Sequence, residues 1–392
     1  LTLFIHFLKL AFMKPVLLCL SVLAFAVSAS AQVERIWLTH KSPDPSRLVV
    51  SWETKQPGDS VVEFGTSAKL GETVKLEGSR TLHHVEIPLS KPDVTYHYRV
   101  KTGAQISEPA TFKGYPTKEL RVAVVGDWGY AKPDLAALKK DDVHVLMTVG
   151  DNVPSLHQFC GAGVTNCTKA FSALIDSQPE LFRSTPFMPA LGNHDREIRP
   201  RGPKPPAEAV YDTNALAYRT FFELPGDEWK WTFDFPAFDA RFIALDLNHI
   251  QDIGTTWQTC HTPAEGSEQL QWYENTMNST KAGHVITLYN EKNSATRSQA
   301  KGKWGQLIQK GSLAITGFGY FAERAEVAGF SYYNTALKGN GDKYPDPKSA
   351  FFASEHSYML LTFKQATGEL TVALKALDGR VLDQKTCLKR KM

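Results

Sequence analysis

"ALGNHD", Ala190–Asp195, closes a run with strand character, Thr185–Leu191, and breaks it at a glycine. Gly192 permits a sharp exit, and Asn193, His194 and Asp195 follow at once on the turn. An amide oxygen, an imidazole and a carboxylate grouped at a strand end suit a metal site or acid–base chemistry. Two earlier apolar runs end in the same way. "VAVVG" (122–126) delivers Asp127, and "LMTVG" (146–150) delivers Asp151. In an open α/β sheet, polar residues just past the strand C-termini converge on one crevice. One Gly-Asp pair is weak evidence; three such ends in this order are specific. Asp127, Asp151 and Asn193 are hard oxygen donors for a cation, and His194 can ligate or move a proton.

Working outward, strands and helices alternate after Pro116. Helical stretches are predicted near Pro133–Lys140 and over 168–183, 266–280 and 299–310. Further strands are predicted at "RFIALDLN", "HVITLYN", "SLAITGFG", "SYMLLTF", "ELTVALKAL" and "RVLDQKTCL". Residues 32–117 read instead as all-β. "RIWLTHK", "RLVVSWET", "SVVEFGTS", "LHHVEIPL", "TYHYRVKTG" and "PATFKGYP" are short, rich in Val, Tyr, Phe and Thr, and separated by turn residues. That pattern predicts a β-sandwich of the fibronectin type III kind. "REIRPRGPKPP" (196–206) reads as a flexible loop, whose Arg196, Arg199, Arg201 and Lys204 either hold an anion or form a solvated charged surface.

The 392 residues are 42% hydrophobic and 22% charged, an ordinary globular balance, with a formal charge of only +3. Neither a nucleic-acid partner nor a polybasic membrane surface is indicated. Met13-Lys14, the apolar run Val16–Val27 and the small-residue site Ala29-Ser30-Ala31 have the three-part form of an export leader. Gln32 would then be the first mature residue, residues 1–12 an upstream extension, and the location secreted or periplasmic. The run is shorter than the roughly 20 apolar residues a bilayer span needs, so no stable membrane insertion is expected. Export permits disulfides among Cys160, Cys167, Cys260 and Cys387. The short segment between Cys160 and Cys167 makes that pair the preferred one, with Cys260 and Cys387 left to pair. Four cysteines allow three connectivities, and the other two stay open. No CxxC pair, Gly-x-Ser-x-Gly elbow or phosphate-cradling loop with lysine occurs. Asn166 and Asn278 head glycosylation sequons.

Asp127-Trp128-Gly129, Gly150-Asp151-Asn152 and Gly192-Asn193-His194-Asp195 resemble the first three motifs of the calcineurin-like metallophosphoesterases, and most closely the purple acid phosphatases. "LSKPDVTYHYRV" resembles the fibronectin-like domain that precedes their catalytic domain. The resemblance implies an α+β protein: a leader (1–31), a fibronectin type III-like sandwich (32–117), and a four-layer α/β/β/α metallophosphoesterase domain (118–392). It implies hydrolysis of phosphomonoesters by two metal ions. By it, Asp127 holds one metal, Asp151 bridges, Asn193 binds the second, and His194 protonates the leaving group.

Departures from the family pattern are equally definite. Pro154 stands where the metal-binding tyrosine belongs. Tyr289-Asn290 stands where the fourth motif has histidine. Gly317-Phe318-Gly319-Tyr320 replaces Gly-His-x-His. Three oxygen donors without an imidazole cannot close two coordination spheres. The expectation is one divalent cation (Mg, Mn, Ca, Zn or Fe), no dinuclear iron/zinc centre, and weak hydrolysis of a phosphorylated small molecule. Tyr289 and Tyr320 are read as packing that fills the old metal cavity along with Phe318, or as phenolate ligands, with Asn290 offering an amide oxygen. The second reading is an inactive pseudophosphatase that binds an anion or an unspecified protein partner.

Overall fold

The structure is a computed structural model that describes residues 33–341, 343–387 and 389–390. The leader reading lies outside them. Six strands come first: β1 (Val33–Thr39), β2 (Arg47–Gly65), β3 (Glu72–Pro88), β4 (Thr95–Thr102), β5 (Gln105–Ile106) and β6 (Ala110–Lys113). The sequence pattern predicts two strands either side of Gln56-Pro57-Gly58, but β2 runs through. A register shift between Glu53 and Gly58 lets its first half pair with β1 and its second half with β4. Such a bulge bends a strand without ending it. Leu48, Val50, Trp52, Val62, Phe64, Tyr96, Tyr98 and Val100 face one core, as their alternation requires. The indole of Trp52 is satisfied there by Thr102 Oγ1 at 2.9 Å.

This sandwich is packed firmly onto the rest of the chain. Trp37 of β1 stacks on Phe221 at 4.1 Å, Tyr115 meets Phe235, and the Tyr98 hydroxyl donates to the Arg183 carbonyl at 2.7 Å.

The remaining strands are β7 (Glu119–Val125), β8 (Val145–Thr148), β9 (Phe187–Met188), β10 (Trp231–Phe235), β11 (Ala240–Ala244), β12 (His284–Tyr289), β13 (Leu313–Thr316), β14 (Ala322–Val327), β15 (Phe330–Asn334), β16 (Ser349–Ala353), β17 (Ser357–Lys364), β18 (Glu369–Ala376) and β19 (Val381–Cys387). They build a six-stranded sheet in the order β19-β18-β17-β7-β8-β9 and a seven-stranded sheet in the order β10-β11-β12-β13-β15-β14-β16. Alternation sorts the seven-stranded sheet into two faces. Phe242, Ile286, Leu288, Leu313 and Ile315 join the core shared with β7, β8 and β17. Ile243, Val285, Tyr289 and Ala314 pack on the other face, against Leu270 and Tyr273 of the helix Glu268–Ser279 and Trp304 of the helix Lys303–Ile308. Helix residues Leu138, Phe171 and Leu174 join the shared core from elsewhere in the chain. This is the α/β/β/α layering expected.

β9 is shorter than the Thr185–Leu191 prediction. Pro189 has no N–H to continue the ladder, and its carbonyl is taken by the Tyr218 hydroxyl (2.6 Å) and the Trp231 indole (3.2 Å). The stretch 168–183 is two helices, Lys169–Ser177 and Pro179–Phe182, broken at Gln178 before a proline. Cys160 and Cys167 form a disulfide, as their spacing suggests. Cys260 and Cys387 do not pair. They are buried in different cores, the first on the helix-covered face of the seven-stranded sheet and the second between the sheets. Burial pushes the Cys260 thiol up to about 12 and that of Cys387 to about 11.

Candidate functional site

Parallel pairing of β7 with β8, β8 with β9, β11 with β12 and β12 with β13 sends all these C-termini to one edge. Small residues let them meet. A Cβ on Gly126 would lie 2.8 Å from Gly317 Cα, and one on Gly150 would lie 2.8 Å from Asn290 Cβ. A Cβ on Gly192 would collide with the Asp151 carboxylate. Asp127 and Asp151 both adopt left-handed backbone, with φ 53° and 56°. Non-glycine residues held there mark over-determined, often functional, turns.

The two turns are stitched together. Asp127 N donates to the Gly150 carbonyl (3.3 Å), Gly129 N to the Asp151 carbonyl (2.9 Å), and His194 N to Asp151 Oδ1 (3.2 Å). Asp127, Asp151 and Asn193 are buried. Tyr211 lies beside Asn193, and burial pushes its phenol up to about 12 despite the nearby Arg201. An asparagine ligates a cation through its carbonyl oxygen. His194 Nδ1 donates to Glu197 Oε2 at 2.7 Å. Burial opposes the charged imidazole, yet Asp151 and the hydrogen-bonded Glu197 outweigh it and lift His194 to about 9.

Asp195, the last letter of the opening motif, is structural. Its carboxylate accepts from Gly192 N, Asn152 N and Asn152 Nδ2 at 2.7–2.9 Å. Burial, with Asp151 nearby, raises it to about 7.

The substituted positions resolve differently from one another. Asn290 turns its side-chain nitrogen onto the Val149 carbonyl (2.8 Å) and the Gly317 carbonyl (3.3 Å). Tyr289 corrects the sequence reading, because it does not fill the crevice. It packs on the helix-covered face, and its hydroxyl donates to Asn293 Oδ1 at 2.7 Å. Period-two alternation puts Tyr289 and Asn290 on opposite faces. The Tyr320 ring packs against Gly341, with Lys338 Nζ 4.6 Å from its centroid. Phe318 does remain at the edge, its ring 5.9 Å from His249.

The basic loop is also corrected in part. Arg196 is fully buried and forks onto Asp246 at 2.5 and 3.2 Å. Arg199 pairs with Glu208, and Arg201 pairs with Asp252 and lies over the Trp257 ring.

Sequence reasoning missed His249 and Glu197. His249 has φ 43°, its ring lies 5.9 Å from that of Phe318, and burial lowers its imidazole, with the charges of Arg201, Asp151, Asp252 and His194 acting on it. Nothing local in the sequence distinguishes it. Glu197 was legible, since it sits three residues after His194 on the 3-10 turn His194–Arg196 and its exit.

Among the described residues, no three His, Cys, Asp or Glu side chains close on one point as a metal cage. The donor set of two carboxylates and an amide oxygen fits one hard cation. It lacks the imidazoles of the family pattern: phenyl carries no donor, and Asn290, its nitrogen held by two backbone carbonyls, has only an amide oxygen to offer, so the set is poor for a dinuclear iron/zinc centre.

Comparison with known proteins agrees with this fold. The family model for calcineurin-like phosphoesterase matches residues 120–332. A purple acid phosphatase from yellow lupin (Lupinus luteus) seeds superposes with a TM-score of 0.68 at 17% identity, covering 90% of this chain and 73% of that one. PhoD superposes with a TM-score of 0.62 at 13% identity, covering 92% and 90%. None of the curated proteins searched matches the chain. At such identities the structures speak for the fold, while the family model spans more than half the sequence: the chain belongs to the calcineurin-like phosphoesterase family.

Proposed function

We propose that this protein is an exported phosphoesterase relative whose crevice binds a phosphorylated small molecule and one divalent cation, and hydrolyses phosphomonoesters weakly at most. The observation that carries the reading is the pair Asn290 and Phe318, where the family pattern has metal-binding imidazoles: Asn290 holds the Val149 and Gly317 carbonyls with its nitrogen and keeps only an amide oxygen, and the Phe318 ring has no donor. Asp127, Asp151 and the Asn193 carbonyl oxygen would hold the cation. When bound, it supplies Lewis acidity at a phosphate oxygen. His194, oriented by Glu197, holds a proton at its other ring nitrogen, where a leaving oxygen can take it. The Cys160–Cys167 disulfide supports an oxidising, exported location. Among the described residues no helix is long and apolar enough to cross a membrane.

Metal analysis and titration calorimetry with Mn²⁺, Mg²⁺, Ca²⁺ and Zn²⁺, paired with a nitrophenyl phosphate assay, test the proposal. One bound ion, lost in Asp151→Asn together with slow turnover, is expected. Two bound ions with brisk hydrolysis would overturn it. One ion with no turnover favours the pseudophosphatase reading.

A further inference from the structure

Phe318 borders two spaces. Its ring lies 5.9 Å from that of His249. The same residue helps wall a cavity of about 140 Å³, with the rings of Phe321 and Tyr344 and a polar edge that includes Lys292, Glu323, Asn334 and Asp346. Asn334 builds this wall. Its Oδ1 accepts from Phe318 N at 3.0 Å, and its Nδ2 donates to the Phe321 carbonyl at 2.6 Å, so one buried amide fixes both ring-bearing residues.

The polar edge is sorted in the same way. Arg297 takes both oxygens of Asp346 at 2.9 Å, and Asp346 N donates to Glu323 Oε1 at 2.7 Å. Glu323 is 2% exposed, and burial raises its carboxyl, which favours the neutral form that can donate a hydrogen bond. Lys292 is the one cation of the described lining. Its Nζ lies 4.8 Å from the Tyr344 ring and 5.4 Å from the Phe318 ring. A space of about 150 Å³ is the size that admits a benzene ring, and here three aromatic side chains face it across a polar edge.

We infer that this cavity is a leaving-group subsite, which takes the flat ring of an aryl or heterocyclic phosphomonoester whose phosphate occupies the neighbouring crevice. The inference rests on the crevice reading above. The position that lost its histidine gained an aromatic wall, so selectivity replaced a metal ligand there. Lys292 stands at the rim, between two π faces, where it can meet the ester oxygen or a polar ring substituent.

The test uses two uncleavable probes, phenylphosphonate and methylphosphonate, titrated calorimetrically into the full chain with Mn²⁺ present. Phenylphosphonate is expected to bind about tenfold tighter or better, the scale of filling a small hydrophobic pocket. Tyr344→Ala should collapse that ratio; Tyr344 is 55% exposed, so the fold is not at risk. Lys292→Met should weaken phenylphosphonate as well. Equal affinities for the two probes would overturn the subsite while leaving the crevice reading intact. A ratio unchanged in both variants would overturn its location. No binding of either probe would overturn the crevice reading and this inference with it.

Discussion

Asn290 and Val149 join the two sheets of the phosphoesterase-like half: the Asn290 side-chain nitrogen donates to the Val149 carbonyl at 2.8 Å, from the end of β12 to the end of β8. The same nitrogen reaches the Gly317 carbonyl after β13. One amide at the end of β12 therefore satisfies buried backbone acceptors past the ends of two other strands. Asn290→Ala should destabilise the protein by about 1–3 kcal/mol, the cost of leaving such acceptors unpaired. Urea unfolding would show a lower midpoint with an unchanged slope. Asn290→His alone should not create a second metal site, since Phe318 remains.

How much of this was readable in advance depends on how local each signal is. Asp127, Asp151 and Asn193 each follow an apolar run and a glycine, so their convergence was written in consecutive residues. The length of β2 was not, because Gln56-Pro57-Gly58 has turn chemistry and only cross-strand pairing with β3 shows the chain running through it. Strands β14 and β16 were missed for a related reason. "AERAEV" and "SAFFA" lack a clean alternation, and their state is set by pairing with each other and with β15. Tyr289 was misplaced because its direction follows from the strand's phase, which the sheet order fixes. His249 stayed invisible because a lone histidine after a strand gains meaning only when a left-handed turn brings it beside Asp151.

Gly192 packs directly on the Asp151 carboxylate. Gly192→Ala must displace that carboxylate or the turn carrying Asn193 and His194. Cation binding is expected to fall by at least tenfold, about 1.4 kcal/mol, while the far sandwich is untouched. Calorimetric titration of Mn²⁺ into the variant measures this. Thermal shift gives a second readout, because a ligand at about 100 times its Kd should add about 2.7 kcal/mol to the parent protein and little to the variant.

Arg196 and Asp246 are both fully buried and paired, with His261 Nδ1 also donating to Asp246 at 2.7 Å. This pair ties the turn after His194 to the segment following β11. Removing one partner leaves an uncompensated buried charge, so Asp246→Ala should cost about 3–5 kcal/mol. Arg196→Met, which removes the cation but keeps much of its stem, should cost a similar amount, because Asp246 is then left with His261 and the long Asn248 contact at 3.4 Å. If the double variant Arg196→Met/Asp246→Leu is more stable than either single one, the cost lies in the orphaned charge and not in lost packing. Chemical denaturation of the three variants decides this.

The last expectation concerns acid. His40 is buried with Nδ1 donating to the Arg47 carbonyl (2.5 Å) and Nε2 facing the Tyr115 hydroxyl (2.7 Å). His83 lies between Thr54 and Ser60 hydroxyls and stacks on Trp52 at 4.7 Å, and His144 Nδ1 accepts from Arg121 N. Burial is the main cause that lowers each of these imidazoles to about 4. Each therefore binds its proton more readily in the unfolded chain, whose value is 6.5. The stability they contribute is complete above pH 6.5 and is lost as pH falls toward 4, at up to about 1.4 kcal/mol per pH unit for each ring. Asp195, raised to about 7, works in the opposite sense, since its folded-state proton becomes favourable over the same range. His84, also lowered to about 4 mainly by burial, adds a fourth imidazole to these three; His194, raised to about 9, opposes them only as pH falls to its unfolded value of 6.5. Four imidazoles against the Asp195 carboxyl leave a net slope toward instability in acid. Unfolding free energies measured from pH 7 to 4 should decline. His40→Phe should make that decline shallower by about one proton's worth, whatever its effect on stability at pH 7. A parent protein equally stable at pH 4.5 and 7 would contradict the assignment of these buried rings as neutral.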